Sequence, residues 1–291
     1  MNTFTLMREA CPLGFPMMSA ILGGIMGSFL GVVAERVPGM VMDEEGSGNL
    51  LFPASHCPVC QHTLAAWENI PLLSWLLLRG RCHQCGSAIP LRLFLVELFS
   101  ALFFGITAWC MPDVQALFSL WLLAAFLLPL AMIDWQHQLL PDCLTQPLLW
   151  AGLVLHAIDH TLPLRDALFG AVAGYLSLWL LYWAFRLIAG REGLGYGDFK
   201  LLAALGAWCG WQALPSIELA AALSGIVGYF AFNNLNKNNL TISFGTYLAF
   251  SGIVVFISKQ FALTFEIYWS RFFINLFDAG REGRLFTLGV S

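Results

Sequence analysis

The chain has 291 residues, of which 58% are hydrophobic and only 11% are charged, and its formal net charge is −4. A soluble domain carries about 25% charged residues, so the composition excludes an ordinary soluble enzyme. The acidic balance also lacks the basic surface that nucleic-acid binding requires. We therefore expect an all-α polytopic membrane protein that contacts membrane lipid and does not bind nucleic acid.

Apolar stretches predict about eight transmembrane helices, because a span needs about 20 mostly apolar residues. Lysines and arginines gather on the loops that are cytoplasmic when the N-terminus lies outside, as the positive-inside rule requires. We therefore expect both termini on the external side. The eight stretches lie near residues 14–34, 92–111, 115–133, 141–158, 164–189, 199–213, 215–232 and 242–262.

A long polar segment, residues 35–91, contains two CxxC motifs, Cys57 with Cys60 and Cys82 with Cys85. Four thiolates from two such pairs complete a tetrahedral zinc shell and leave no open position for a substrate. The spacing therefore predicts a small cytoplasmic loop domain with a structural zinc. Two disulfides or two redox dithiols remain alternatives, although a cytoplasmic location disfavours stable disulfides.

Two aspartates, Asp134 and Asp198, lie at the ends of apolar stretches, and Asp198 follows Gly195 and Gly197 in GYGD. Carboxylates at the edge of hydrocarbon are functional candidates by default. Two that share a site can activate a water and polarise a scissile carbonyl, so we expect an aspartyl protease. The glycines would permit positive φ and close approach of a substrate strand. Alternatively, Asp198 is a helix N-cap and Asp134 a solvated end group.

Several sequence blocks together resemble the type IV prepilin peptidases, and the resemblance covers about residues 19–255. These blocks include GSFLGVVAERVP, the two CxxC motifs, WENIPLLSWLLLRGRC, IDWQHQLLPDCLTQPLLWAGL and GYGDFKLLAALGAWCGW. The resemblance implies an inner-membrane GxGD-type aspartyl protease that cuts leader peptides from type IV prepilins or type II secretion pseudopilins. It further implies methylation of the new N-terminus with S-adenosylmethionine. The positions that match family sites are the catalytic pair Asp134 and Asp198, the motif glycines Gly195 and Gly197, and the zinc ligands Cys57, Cys60, Cys82 and Cys85.

The apolar stretches and the resemblance together predict four parts in the chain, and the distribution of lysines and arginines predicts its orientation in the bacterial inner membrane. Residues 1–34 form the first transmembrane helix, and residues 35–91 form the cytoplasmic zinc-binding domain with the methyl-transfer part. Residues 92–262 form the membrane-embedded peptidase core, and residues 263–291 form a tail of unknown role. Both termini are then periplasmic, and the active site faces the cytoplasm.

Methylation depends on the resemblance alone, because the sequence has no Rossmann-type glycine fingerprint. Glu68 and Glu97 are acids worth testing in the cofactor site. Gly31 stands where relatives usually have Asn, and the segment PLRLFLVE also departs from the usual pattern, so a peptidase without methylation is an alternative. An alternative of another class is a proton-coupled transporter with a structural zinc loop.

Overall fold

The computed structural model describes residues 11–42, 49–50, 52, 54–190, 195–233 and 243–262. Within these ranges the regular structure is helical, with two isolated β-bridges, His56 with Thr63 and Arg81 with Ala88. The predicted C-terminal tail, residues 263–291, lies outside the described residues.

The described helices follow the predicted apolar stretches closely. Two short 3₁₀ helices, Ala66–Asn69 and Trp211–Ala213, accompany them. The α-helices are α1 (Gly14–Val41), α2 (Leu73–Leu77), α3 (Leu91–Cys110), α4 (Val114–His137), α5 (Asp142–Asp159), α6 (Leu164–Ala189), α7 (Tyr196–Cys209), α8 (Leu214–Asn233) and α9 (Phe244–Ala262).

Six of the described helices are long and apolar enough to cross a membrane, namely α1, α3, α4, α6, α8 and α9. The remaining two predicted stretches are the shorter helices α5 and α7. Helix α7 has 14 residues and is therefore about 21 Å long, less than the roughly 30 Å of bilayer hydrocarbon. The all-α polytopic fold is thus confirmed, with helices at all eight predicted places.

Glycines allow two pairs of helices to approach closely. A Cβ atom on Gly27 of α1 would lie 2.8 Å from the Cβ of Ser100 on α3 and 3.0 Å from the Cα of Glu97. In the same way, Gly170 of α6 faces the backbone of Gly206 on α7. Small residues at such contacts let helix backbones pack tightly in a membrane.

Helix α7 forms the centre of the core. Phe199 and almost every following residue of this helix are buried, and Trp208 donates a hydrogen bond from Nε1 to the carbonyl of Leu148 at 2.8 Å. Large apolar side chains on the outer helices, such as Ile106 of α3 and Leu180 of α6, are instead more than half exposed. The bundle therefore presents an apolar surface to lipid while α7 is enclosed by its neighbours.

Candidate active site and metal centre

Asp134 lies in the last turn of α4 and is only 5% exposed. Its Oδ2 accepts hydrogen bonds from the backbone N–H of Thr246 at 2.7 Å and from the Thr246 hydroxyl at 3.1 Å. Thr246 is in the first turn of α9, 112 residues further along the chain. Asp134 is therefore a buried, oriented carboxylate that links α4 to α9, and the alternative of a solvated end group is wrong.

Asp198 lies in the first turn of α7 and is 7% exposed. The N-cap of this helix is Gly195, which makes no side-chain capping bond. Since the helix begins at Tyr196, Asp198 is its third residue. The alternative of an N-cap is therefore wrong. The unpaired N–H groups of a first turn favour a negative charge nearby, which offsets part of the cost of burying this carboxylate.

The two carboxylates meet at Gly245, the second residue of α9. A Cβ atom on Gly245 would lie 3.0 Å from Oδ2 of Asp134 and 3.1 Å from Oδ1 of Asp198. Since both oxygens are so close to one point, they are at most about 6 Å from each other. The missing side chain of Gly245 thus leaves the space in which two acids from different helices can act on one group.

The motif glycines have a different role from the one predicted. Gly195 has a φ of −83°, and Gly197 is helical, so neither adopts positive φ. A Cβ atom on Gly197 would instead lie 2.7 Å from the Cβ of Leu140. Gly197 therefore serves close packing of α7 against the connection between α4 and α5, which brings Asp198 towards Asp134.

Asp142, the next acid after Asp134, does not join the pair. It is the first residue of α5, and both its carboxylate oxygens accept hydrogen bonds from Nζ of Lys200, at 2.7 and 2.8 Å. This ion pair is largely exposed. Asp142 therefore provides a control carboxylate close in sequence to Asp134.

Gly245 and Thr246 were not identified as site residues from the sequence. They lie in the block FGTYLAF at the start of α9, and the sequence gives only a weak signal for them, a Gly-Thr pair at the beginning of an apolar stretch. Their role becomes visible only when α9 packs against α4.

The four cysteines of the CxxC motifs form one cluster. Their Sγ atoms all lie within 4.8 Å of one another, with Cys57 3.8 Å from Cys85 and Cys60 3.9 Å from Cys82. Four sulfurs at about 2.3 Å from a zinc ion define a tetrahedron with edges of about 3.8 Å, so the cluster fits the metal. The four thiols are free, which excludes the alternative of two disulfides in this structure.

Two similar turns hold the cysteine pairs. In the first, Cys57 donates its N–H to the carbonyl of His62 and accepts from the N–H of Gln61, both at 2.9 Å. In the second, Cys82 makes the equivalent bonds with Ser87 and Gly86, at 2.8 and 2.9 Å. In each turn, the residue four positions after the first cysteine has a left-handed backbone conformation. These residues are Gln61 (φ 60°) and Gly86 (φ 69°).

Ser87 connects the two turns through its hydroxyl, which lies 3.0 Å from Sγ of Cys85 and 3.4 Å from Sγ of Cys57. This hydroxyl, together with backbone N–H groups, lowers the pKa of Cys57 to about 6, and it also lowers the pKa of Cys85. Metal ligation requires thiolates, so these bonds favour the ligating form of Cys57 and Cys85. Although the backbone N–H of His62 lowers the pKa of Cys60, burial and the neighbouring thiols raise it to about 12.

Glu68 lies beside this cluster in the 3₁₀ helix Ala66–Asn69, and its side chain is 2% exposed. Its Oε2 accepts the backbone N–H of Ala65 at 2.8 Å and lies 3.2 Å from Nε2 of His62. The Ala65 N–H bond, helped by His62, lowers the pKa of Glu68 against the effect of burial. Oε1 has no hydrogen-bond partner among the described residues.

Glu97, the other acid predicted for the cofactor site, anchors a strained turn. Leu72 has φ 62° and ψ −47°, and its neighbours Leu73 and Pro71 are joined by an N–H to carbonyl bond of 2.6 Å. This is a classic γ-turn, which is rare and strained. Oε2 of Glu97 accepts the N–H of Leu72 at 2.8 Å, so α3 holds the cysteine-bearing segment at this point.

A cavity of about 640 Å³ lies between the cysteine-bearing segment, α1 and α3. Its wall includes both Glu68 and Glu97, as well as Gly31 and the start of α3 in the PLRLFLVE segment. Gln136 and His137 from the end of α4 also line it. The cysteine-bearing segment and the α4 end that carries Asp134 therefore lie on the same side of the helix bundle.

Comparisons with known proteins match both halves of the chain. Residues 21–111 match the bacterial peptidase A24 N-terminal domain, and residues 121–230 match the type IV leader peptidase family. The first match contains the four cysteines and the cavity acids, whereas the second contains Asp134 and Asp198.

Curated relatives match over most of their length. A protein of Stutzerimonas stutzeri named prepilin leader peptidase/N-methyltransferase is 45% identical over 84% of this chain and 90% of its own length. Proteins of the same name from Dickeya chrysanthemi and Pseudomonas aeruginosa are 46% and 45% identical, over 80% and 83% of this chain and 88% and 89% of their own lengths. No solved structure matches.

Proposed function

Because the chain belongs to the type IV leader peptidase family, we propose that it cleaves leader peptides from type IV prepilins or type II secretion pseudopilins and methylates the new N-terminus. It is a membrane enzyme, and its membrane-length helices and its relatives support a location in the bacterial inner membrane. The active site faces the cytoplasm, and both termini face the periplasm. This family assignment replaces the alternative of a proton-coupled transporter.

The observation that supports the peptidase most strongly is the meeting of Asp134 and Asp198 at Gly245. One carboxylate, ionised, takes a proton from a water, while the other, protonated, donates a hydrogen bond to the scissile carbonyl. The pair titrates as one unit, so neither role belongs to one residue alone. Thr246 fixes the position of Asp134 by donating two hydrogen bonds to a single oxygen.

The cysteine cluster supports a structural zinc rather than a catalytic one. Four protein thiolates fill the tetrahedral shell of a zinc ion, so no ligand position is left for water or substrate. Bound zinc would join the turns at Cys57 and Cys82 and thereby stiffen the segment that covers the cavity. The predicted division into a zinc-binding part, residues 35–91, and a peptidase core, residues 92–262, remains part of this proposal.

Two substitutions test the peptidase. Asp134→Asn and Asp198→Asn each keep the size of the side chain but remove proton exchange, so leader cleavage should fall by at least about 100-fold. A gel shift of co-expressed prepilin measures it. Asp142→Asn is the matched control and should retain cleavage, because its carboxylate is paired with Lys200. Cleavage above a few per cent in either of the first two variants would remove that residue from the pair.

The second activity can be tested without the first. Asp198→Asn cannot expose the amine of a prepilin, but it should still methylate a mature pilin whose N-terminal amine is already free. Mass spectrometry after incubation with S-adenosylmethionine should show the addition of one methyl group. If the wild-type protein cleaves prepilin but leaves this pilin unmethylated, the chain is a peptidase only.

A further inference from the structure

The 640 Å³ cavity contains a carboxylate oxygen that nothing in the described structure satisfies. Oε1 of Glu68 is buried without a hydrogen-bond partner among the described residues, and Nδ1 of His83 lies 4.0 Å from it, beyond hydrogen-bond distance. A buried carboxylate oxygen without a partner is costly. A cationic ligand in the cavity would remove that cost.

The arginines of the cavity are already engaged. Nη2 of Arg92 donates to Oε1 of Glu35 at 2.8 Å, and Nη1 of Arg36 donates to backbone carbonyls of Asn49 and Leu50 at 3.0 and 3.3 Å. The cavity wall carries three acids, Glu35, Glu68 and Glu97, against the two arginines, so its formal charge is negative. This balance favours a ligand with a net positive charge over a phosphate-bearing one.

The same cavity has an aromatic wall. Trp75 and Phe94 stack with their ring centroids 4.5 Å apart and their planes at 29°. Both rings line the cavity, and Nε1 of Trp75 is a second buried polar atom without a partner. Stacked aromatic rings provide a surface for a planar heterocycle, and the unpaired N–H can rearrange to donate to it.

The cavity is also close to the place where cleavage would occur. Gln136 and His137 in its wall follow Asp134 by two and three residues on α4. A chain cut at the aspartate pair would therefore leave its new amine near the part of the cavity wall formed by the end of α4. No long movement of the product is needed between the two reactions.

We propose that this cavity is the S-adenosylmethionine site, with the Glu68 carboxylate facing the sulfonium group and the rings of Trp75 and Phe94 facing the adenine. The assignment rests on the methyl-transfer activity proposed above. In the reaction, the amine nitrogen of the cut pilin bonds to the methyl carbon, and the carbon–sulfur bond breaks with its electrons going to sulfur. The products are S-adenosylhomocysteine and a methylated ammonium, which loses its proton to water.

The charge difference between cofactor and product gives the sharpest test. S-adenosylmethionine carries a sulfonium cation that S-adenosylhomocysteine lacks. Only the binding affinity for S-adenosylmethionine should therefore depend on the charge of Glu68. Binding of each compound to the purified full-length protein in detergent is measured by equilibrium dialysis. Glu68→Gln should weaken binding of S-adenosylmethionine about tenfold and change binding of S-adenosylhomocysteine by less than about twofold. Phe94→Leu should weaken both, because both contain adenine.

Two controls separate this effect from damage to the fold. Glu218→Gln makes the same change on α8, where the carboxylate accepts the Ser177 hydroxyl at 2.6 Å away from the cavity wall, and it should bind both compounds as the wild type does. Each variant should also retain the wild-type zinc content. If Glu68→Gln and Phe94→Leu bind both compounds as the wild type does, the cavity is not the S-adenosylmethionine site. That result would leave the proposed methyl-transfer activity unaffected. If the wild type neither binds S-adenosylmethionine nor methylates mature pilin, the methyl-transfer activity itself is wrong.

Discussion

The aspartate pair and the cysteine cluster are built in opposite ways. Asp134, Asp198 and Gly245 come from three helices and meet only because those helices pack together. The cysteines come from two short turns of the same design, each held by its own backbone hydrogen bonds. The aspartate pair therefore depends on packing of the helix bundle, whereas the cysteine cluster depends on local turn geometry.

The largest effect should come from removing two cysteines of the cluster, and it should be seen in the zinc content. Cys57→Ser combined with Cys60→Ser leaves two thiolates, and because structural zinc contributes a large share of the folding energy of such a site, bound zinc should fall from about one per chain to near zero. Metal analysis of the purified protein measures this. The turns should become sensitive to protease while the helix bundle stays resistant. Retention of zinc, or the presence of iron, would contradict the assignment.

The aspartate pair should be most sensitive to substitution of Gly245. A valine there would push its methyl groups into the space shared by the two carboxylates, and a misplacement of about 1 Å can cost about 100-fold in rate. Gly245→Val should therefore lower prepilin cleavage about 100-fold while the zinc content stays normal. Gly225→Val on α8 is a control, because a Cβ there meets only the ring of Tyr247 at 3.6 Å or more. Normal cleavage by Gly245→Val would disprove the shared space.

A smaller effect should follow from removal of one hydrogen bond to Asp134. Thr246→Val keeps the backbone N–H donor at 2.7 Å but deletes the hydroxyl donor at 3.1 Å. The loss of about 1 kcal/mol should lower the cleavage rate roughly fivefold. Thr246→Ser keeps the hydroxyl and should stay close to the wild type. Equal rates for the two variants would show that the backbone bond alone positions the carboxylate.

The smallest effects should distinguish the two cysteine turns. Gly86→Ala introduces a side chain at φ 69°, and Gln61→Gly removes one at φ 60°. A left-handed conformation costs an ordinary residue about 1 kcal/mol, so the first change should make zinc easier to extract with a chelator and the second should make it harder. Chelator titrations of both variants measure the shift. Shifts in the same direction would mean that backbone strain does not limit these turns.

The cysteine cluster could be predicted from the sequence because it depends on residues that lie close together along the chain. The spacing within each CxxC motif determines which thiols can share a metal, and the turn bonds of Cys57 and Cys82 lie within a few residues of them. Asp134 and Asp198 were identified for a different reason, since acids are rare in such an apolar chain. The structure buries both residues and brings them together at Gly245, and their catalytic role stays a prediction.

The remainder of the aspartate site could not be predicted, because it depends on contacts between distant residues. Thr246 lies 112 residues from the carboxylate that it orients, and nothing near either residue indicates the other. The motif glycines were interpreted through backbone freedom, whereas Gly197 is needed for contact with Leu140. Helix packing therefore decides details that spacing along the chain does not contain.

The short helix α7 has a consequence for how this enzyme tolerates change. Its side chains are surrounded by protein on nearly every side, from Phe199 to Cys209, so lipid has no direct influence on which residues it can carry. Substitutions there are judged by the fit to neighbouring helices, as in the interior of a soluble protein. A larger apolar residue at position 206 would keep the helix apolar. It would nevertheless clash with the backbone of Gly170 and displace the helix that carries Asp198. The outer helices meet lipid with their exposed apolar side chains, whereas packing against protein sets the position of the helix that carries Asp198.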